Sequence, residues 1–284
     1  MKYVYLTVDI EEWYDLDYFK DMKLDKSTEV IPEIIDFLDL LDEFKIKSTF
    51  FVLAYTLDRN TDIIREISSR GHVIACHGYD HELLYNKDLK VFKEEVTKAK
   101  VLLEEATGKE VKGYRASCFS MERDKLEALK EIGFKYDSSY IKFEHHPLYR
   151  NLDLSGYEKK DDLVFEQDSH FEYEIPTLKI FKYSIPISGG GYLRLFPYWL
   201  LKILIKKYAK EKDNFLLYLH PFELTPMKID LPSEVSKKTK FRFEVGRKKN
   251  LKKLRKVIVL LKNMGAEFRT LEYDMNERKK SWSI

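Results

Sequence analysis

YVYLTVDIEEW, residues Tyr3 to Trp13, opens with six aromatic, aliphatic and β-branched residues and then sets three carboxylates before a tryptophan. Tyr3 to Val8 reads as a strand, because such side chains suit a pleated, half-buried surface. Outward from it the chain alternates. Val30 to Leu41 has helical spacing, Lys47 to Val52 (KSTFFV) is strand-like, Asp62 to Ser69 a helix and His72 to Cys76 a strand. Lys90 to Ala106 is a long charged helix ending at Gly108, and Val111 to Arg115 a short strand. Glu122 to Glu131 is a helix stopped by Gly133, and Phe134 to Ser138 a strand. Later come a helix at Tyr198 to Ala209, a strand at Asn214 to Leu219, a helix at Arg247 to Lys262 and a strand at Glu267 to Leu271. This rhythm of βα units predicts an α/β fold on a parallel sheet, closed or open.

Between Ile141 and Gly191 the rhythm breaks into paired histidines, glycines and short β-like pieces, which predict an irregular β-rich insertion over about 141–191. No repeat, low-complexity tract or linker is evident in the 284 residues, so a single domain over 1–284 is expected. The chain is 44% hydrophobic and 14% aromatic, enough to bury a substantial core. A net charge of +2 gives no reason to expect a nucleic-acid partner. Two cysteines, Cys76 and Cys118, make no disulfide framework or four-thiolate zinc site; two buried thiols are expected. There is no apolar signal core and no stretch long enough to span a membrane, so a cytoplasmic protein is expected. FPYWLLKILIKKYAK (Phe196 to Lys210) suits a basic helix in peripheral contact with a membrane, or a barrel helix with its apolar side turned inward; inward packing is the expectation. The basic run from Lys237 to Lys256 could attract phosphate or anionic lipid, but from Leu251 apolar residues recur at Leu254, Val257, Ile258 and Leu261, so its second half reads as an amphipathic core helix with solvated charges.

In a parallel barrel, functional groups gather at the C-terminal ends of the strands. Asp9, His77, Arg115, Asp137 and His220 all fall there. Strand side chains alternate, so Asp9 and Glu11 share a face and Glu12 lies opposite. Alone, the pair is as readily a solvated acidic strand end as a base and a metal ligand. In HGYDH, a helical turn would bring His77 and His81 to one metal, although two capping histidines would read the same. Glu11, His77 and His81 would leave an open position on a divalent ion, and oxygen and nitrogen donors suit zinc, cobalt, nickel or manganese. His220, ending FLLYL before a proline, could protonate a leaving group or simply cap a strand. Arg115 would orient Asp9 or form an ordinary ion pair. Asp137 could orient His220, or turn the chain before two serines.

TVDIEEW, HGYDH, GYRASCFS, YDSSY and LHPFE follow the order and rough spacing of the five motifs of the polysaccharide deacetylase family, also called the chitooligosaccharide deacetylase homology family. The resemblance runs from Tyr3 to about Glu223 and is closer to the branch found beside exopolysaccharide export loci, through EEW, GGGYLRLFPY (Gly189 to Tyr198) and HPFE. It implies a distorted (β/α) barrel of about seven parallel strands, fewer than the eightfold kind. It implies Asp9 as base, Glu11, His77 and His81 as ligands of one divalent ion (most simply zinc), and His220 as acid. Arg115 then tethers the base, and Asp137 tunes the acid. The family's usual ligand aspartate directly after the base is here Ile10, which passes the role to Glu11, with Glu12 as fallback. The proline after the arginine is replaced by Ser117; a backbone N–H of Cys118 or Phe119 is the implied oxyanion donor. Trp13, Phe119 and Tyr140 are implied in substrate binding, with His145, His146 and Tyr149 shaping the pocket. The implied reaction is hydrolysis of the N-acetyl group of a saccharide in a cell-surface glycan or its precursor. A formyl or other C–N amide, and an inactive sugar-binding protein, are the rival readings.

Overall fold

Strand β1 (Tyr3–Ile10) organises the molecule, because its two faces meet different environments. Val4, Leu6, Val8 and Ile10 lie in the layer packed beneath the helices, whereas Tyr5 joins an inner cluster with Phe51, Tyr136, Phe171 and Leu216. Thr7 and Asp9 therefore point inward with Tyr5, as a two-residue period requires. The structure is a computed structural model that describes residues 1–142, 152–180, 183–185 and 187–282.

After β1 come helix α1 (Ile35–Glu43), β2 (Thr49–Val52), α2 (Leu57–Ser69), β3 (Val73–Cys76), α3 (Leu89–Thr107), β4 (Gly113–Tyr114), α4 (Arg123–Ile132) and β5 (Tyr136–Asp137). Then follow β6 (Glu158–Lys159), β7 (Val164–Gln167), β8 (His170–Tyr173), β9 (Leu178–Ile180), β10 (Tyr183–Ile185), α5 (Gly190–Leu195) and α6 (Tyr198–Tyr208). The chain ends with β11 (Asn214–Leu219), α7 (Pro221–Leu224), α8 (Lys237–Glu244), α9 (Asn250–Asn263), β12 (Glu267–Arg269) and α10 (Leu271–Trp282).

Among the described residues the main sheet has ten strands in the order β11-β1-β2-β3-β4-β5-β8-β7-β6, with β12 also on β1. The run from β11 to β8 is parallel, as is the β12 pairing, while β6 and β7 are antiparallel. The result is a curled, distorted half-barrel of mixed strands, rather than seven parallel ones. Residues 141–191 are not merely inserted: β8 lies beside β5 (Tyr136 opposite Phe171) and extends the barrel wall. Toward β11 the wall is completed by the Gly189–Tyr218 bridge, by the bond from Ser188 Oγ to the Pro176 carbonyl at 3.0 Å, and by the Asn214 N–H donating to Asp162 at 3.1 Å.

Local chemistry sets the element ends. Asp88 caps α3, accepting the Lys90 N–H at 2.8 Å, and Gly108 ends it in the left-handed region, φ 67°. Gly133, φ 104°, ends α4 in the same way. The helix expected from Val30 starts only at Ile35, after a 3₁₀ turn at Pro32–Ile34 whose first position is taken by the proline, which has no N–H to offer a preceding turn. The expected strands at 111–115 and 134–138 shrink to two residues each. Helix α10 plugs the end of the barrel opposite the site: Leu271 and Met275 join the inner cluster, and Tyr173 donates to Asp274 at 3.0 Å. No described helix is long and apolar enough to cross a membrane. Cys76 and Cys118 are free thiols, the first buried and the second partly so.

Candidate metal centre and acid–base site

The C-terminal ends of β1, β3 and β11 open into one cleft of about 490 Å³ lined by Asp9, Glu11, His77, His81 and His220. Its walls include Phe119, Tyr218, Tyr192 and Arg194. Asp9 and Glu11 reach it from one face of the β1 end. Glu12 turns the other way and accepts the N–H groups of Val30 and Ile31 at 2.8 and 3.1 Å, so it is not a ligand. Burial, only partly offset by those two bonds, pushes the Glu12 carboxyl up to about 7.

His77 extends β3 and is fixed through its ring: Nδ1 lies 2.8 Å from the Arg115 carbonyl, to which it donates, so Nε2 presents its lone pair to the cleft. His81 arrives through an irregular loop and not the helical turn expected, with Gly78 at φ 103° making the bend. Its Nε2 is 2.9 Å from Glu11 Oε2, and that of His77 is 3.7 Å away. Burial opposes the Glu11 charge, but the imidazoles of His81, His77 and His220 hold its carboxyl well below the usual carboxylate range. His81 is shifted the opposite way: burial lowers it, and Glu11 more than compensates.

One ligand atom from each of Glu11, His77 and His81 lies within 4.8 Å of the others. Glu11 Oε2 is buried and accepts no hydrogen bond, although His81 Nε2 stands close. A buried carboxylate oxygen left without a donor is costly unless a cation completes it. The one-carboxylate, two-imidazole set suits a divalent ion with an open position. The three residues are a divalent-metal site.

Arg115 is completely buried and spends its donors on this end of the barrel: Nη1 on Asp9 at 2.7 Å and Thr7 at 2.9 Å, Nε on the Ser138 carbonyl and Nη2 on the Ser138 hydroxyl. Its plane stacks over Phe51, 4.1 Å from the ring centre. Asp9 is thus aimed by a guanidinium that cannot itself move.

His220 Nε2 is 3.9 Å from Asp9 Oδ2 and 3.7 Å from Glu11 Oε1. Its other nitrogen bonds Glu223 Oε2 at 3.0 Å, and Glu223 Oε1 accepts from Arg194 Nε at 2.9 Å. Arg194 is in turn pinned by the carbonyls of Arg242, Phe243 and Val245. HPFE is a capping box: His220 caps α7, Pro221 takes the first helical position, and Glu223 returns to the His220 N–H at 3.1 Å. Burial works against a charged His220, but the Glu223 bond and the charges of Glu11, Glu223 and Asp9 win, and its pKa is pushed up to about 9.

The expectation that Asp137 tunes His220 is therefore corrected: Glu223 occupies that place. Asp137 accepts from the Ser139 hydroxyl at 2.9 Å and N–H at 3.1 Å, and is paired with buried Glu172. Trp13 does not line the cleft either. It is 2% exposed, donates to the Thr28 carbonyl at 2.9 Å and packs edge-on against Phe19 and Phe243. Tyr140 packs on Phe165 outside the cleft, with its N–H on Glu172. Phe119 does line the cleft, but its N–H donates to the Ala116 carbonyl at 2.9 Å, which leaves Cys118 as the backbone candidate for an oxyanion. His145, His146 and Tyr149 lie outside the described residues. Glu223 and Arg194 carry a readable signal, the cap spacing of HPFE and an arginine inside the glycine-rich stretch, that a reading of strand ends alone passes over.

Fold and site together define an α/β protein with a divalent-metal site flanked by an arginine-held aspartate and a carboxylate-held histidine. Residues 2–136 match the polysaccharide deacetylase family. Residues 145–272 match a domain of unknown function, DUF3473. A peptidoglycan deacetylase of Helicobacter pylori is 28% identical over 112 residues, 39% of this chain and 38% of that protein. The alignments span at most 38% of the length of the curated relatives. Among solved structures, a protein assigned as a polysaccharide deacetylase from Mycobacterium smegmatis superposes with a TM-score of 0.65 at 21% identity, covering 98% of this chain and 90% of that one. A pseudoenzyme of carbohydrate esterase family 4 from Bacillus anthracis superposes with a TM-score of 0.56 at 13% identity, covering 97% and 66%. These likenesses establish the fold; since a pseudoenzyme shares it, chemistry has to be argued from side chains.

Proposed function

We propose that this chain is a metal-dependent hydrolase that removes an N-acetyl group from a saccharide. The observation that carries the reading is the convergence of Asp9, His220 and the Glu11–His77–His81 set on one cleft, each held by its own partner. A divalent ion on the three ligands supplies acidified water and a polarised amide carbonyl. Asp9, aimed by Arg115, takes a proton from the attacking water as oxygen adds to the acetyl carbon. The tetrahedral oxyanion lies within the cleft, where a Cys118 N–H is available to it. His220, protonated and oriented by Glu223, gives its proton to the sugar nitrogen as the C–N bond breaks, and acetate and a free amine leave. The cleft volume suits a sugar unit, and aromatic side chains of Phe119, Tyr218 and Tyr192 can pack on its faces.

The relatives that act on peptidoglycan, together with EEW, GGGYLRLFPY and HPFE, support a glycan of the cell surface or its precursor as substrate. Asp9, Glu11, His77, His81 and His220 all line the cleft, with Arg115 holding Asp9 from behind it, which favours an enzyme over an inactive binding protein. The test is product analysis on N-acetylglucosamine oligosaccharides with added zinc or cobalt. Equal acetate and free amine, abolished by chelator, supports the proposal. Formate or ammonia from alternative amides, without acetate, moves the chemistry to another C–N bond; no product from metal-loaded protein leaves the binding protein.

A further inference from the structure

Helix α6 buries Leu201, Leu204, Ile205 and Tyr208, so its inward packing is satisfied. Its opposite side is not what a solvated helix presents. Trp199 is 63% exposed and Ile203 55%, one turn apart, with Leu195 at 47% on the preceding helix α5. Lys202, Lys206 and Lys207 lie exposed on the same outer face. None of these lysines has an ion pair among the described residues, and the stretch 188–210 holds five basic residues and no acidic one. A lone exposed apolar residue needs no explanation, but a large aromatic and a β-branched residue stacked between unpaired lysines is the composition of a helix lying in a lipid–water interface. Nucleic acid would use the lysines and leave the isoleucine without a purpose.

We infer that the outer face of α6, extended by Leu195, docks on an anionic phospholipid surface. Trp199 and Ile203 enter the headgroup boundary, and the lysines extend their stems alongside and place their ammonium groups among the phosphates. The face is tied to the cleft: α5, joined to α6 through Phe196 and Pro197, supplies Tyr192 and Arg194 to the cleft wall. Docking would bring the cleft mouth near membrane-borne substrate. The inference stands apart from the catalytic proposal, because it is read by binding and needs no turnover.

The experiment is co-sedimentation of the full chain with vesicles of phosphatidylcholine alone, and of phosphatidylcholine mixed with phosphatidylglycerol. Binding is expected to the mixed vesicles only, weakening as salt is raised. Trp199→Ser with Ile203→Ser should weaken it by roughly tenfold or more. Lys202→Glu with Lys206→Glu should do at least as much, since each lysine near such a surface contributes about fivefold. Both variants alter exposed side chains, and unchanged thermal melts and metal content confirm that they fold. Absence of wild-type binding, equal binding to neutral vesicles, or unchanged binding by both variants overturns the inference. So does a monomer released from a dimer by Trp199→Ser in a protein that ignores vesicles, which would make the face a contact between two copies; selective binding of an acidic polymer instead of vesicles would likewise replace the lipid.

Discussion

His220 shows how much one hydrogen bond decides. Its Nδ1 lies 3.0 Å from Glu223, and that carboxylate keeps the imidazole charged at a pH where a free histidine has lost its proton. A general acid must hold its proton until the leaving group needs it, so activity should fall as pH rises through the His220 pKa. Glu223→Gln removes the charge and lowers that pKa. The expected result is a drop of about 10- to 100-fold in kcat with the alkaline limb of the pH–rate profile moved to lower pH. Metal content should stay unchanged; an unmoved limb would assign Glu223 a merely structural part.

Asp137 has a different role from the one its position suggested. Reading it as the partner of His220 failed because strand-end position says nothing about which of two acids lies nearer, and the closer one sits three residues after the histidine on a capping box. Asp137 and Glu172 are both buried, and burial raises both, Asp137 to about 6; the two share the Ser139 N–H and their own contact. A carboxyl raised in the folded state binds more protons folded than unfolded, so its stabilising contribution is present at low pH and lost as pH rises through the folded value. Glu172→Gln removes that titration. Relative to wild type, the variant should gain roughly 1–3 kcal/mol in denaturant melts between pH 5 and pH 8. An identical pH dependence in the two proteins would show that the pair carries no such proton.

At the scale of elements, the helices with caps were legible and the short strands were not. Asp88 and Gly108 bound α3, and Gly133 ends α4, as their residue types require. Strands β4 and β5 are two residues long because only their middles pair, a matter of neighbours and not of propensity. Helices α8 and α10 were not foreseen: α8 buries only Phe243, and α10 turns Leu271 and Met275 inward from an otherwise charged sequence, too thin a stripe to stand out. Helix α5 carries the tightest constraint. A Cβ on Gly190 would lie 1.8 Å from Glu223 Oε2, and that carboxylate is pinned between His220 and Arg194 and has nowhere to go. Gly190→Ala should therefore reproduce the kinetic loss of Glu223→Gln, about 10-fold or more, while the metal stays bound. Wild-type kinetics in this variant would mean that Glu223 can turn aside without consequence.

Over the whole molecule, the alternating pattern foresaw the βα order and the strand ends that carry chemistry. It missed that the irregular stretch after Ile141 returns to the barrel as β8, since a four-residue strand buried on every residue has no alternation to detect. It also missed the layer between cleft and core. The family resemblance implies Trp13 as a substrate contact, but its indole is consumed by Thr28, Phe19 and Phe243 behind the cleft wall. The metal set was reachable because side-chain alternation from Asp9 selects Glu11 and rejects Glu12, and the fold keeps that parity through the strand end.

The metal site depends on Glu11 and not on Glu12, and elemental analysis of the purified protein tests this most directly, comparing wild type with Glu11→Ala, His77→Ala and Glu12→Gln after equilibration with zinc or cobalt. About one divalent ion per chain is expected in wild type and in Glu12→Gln, and close to none in Glu11→Ala and His77→Ala. Metal retained by Glu11→Ala but lost from Glu12→Gln, or a wild-type protein that binds no divalent ion, would contradict it.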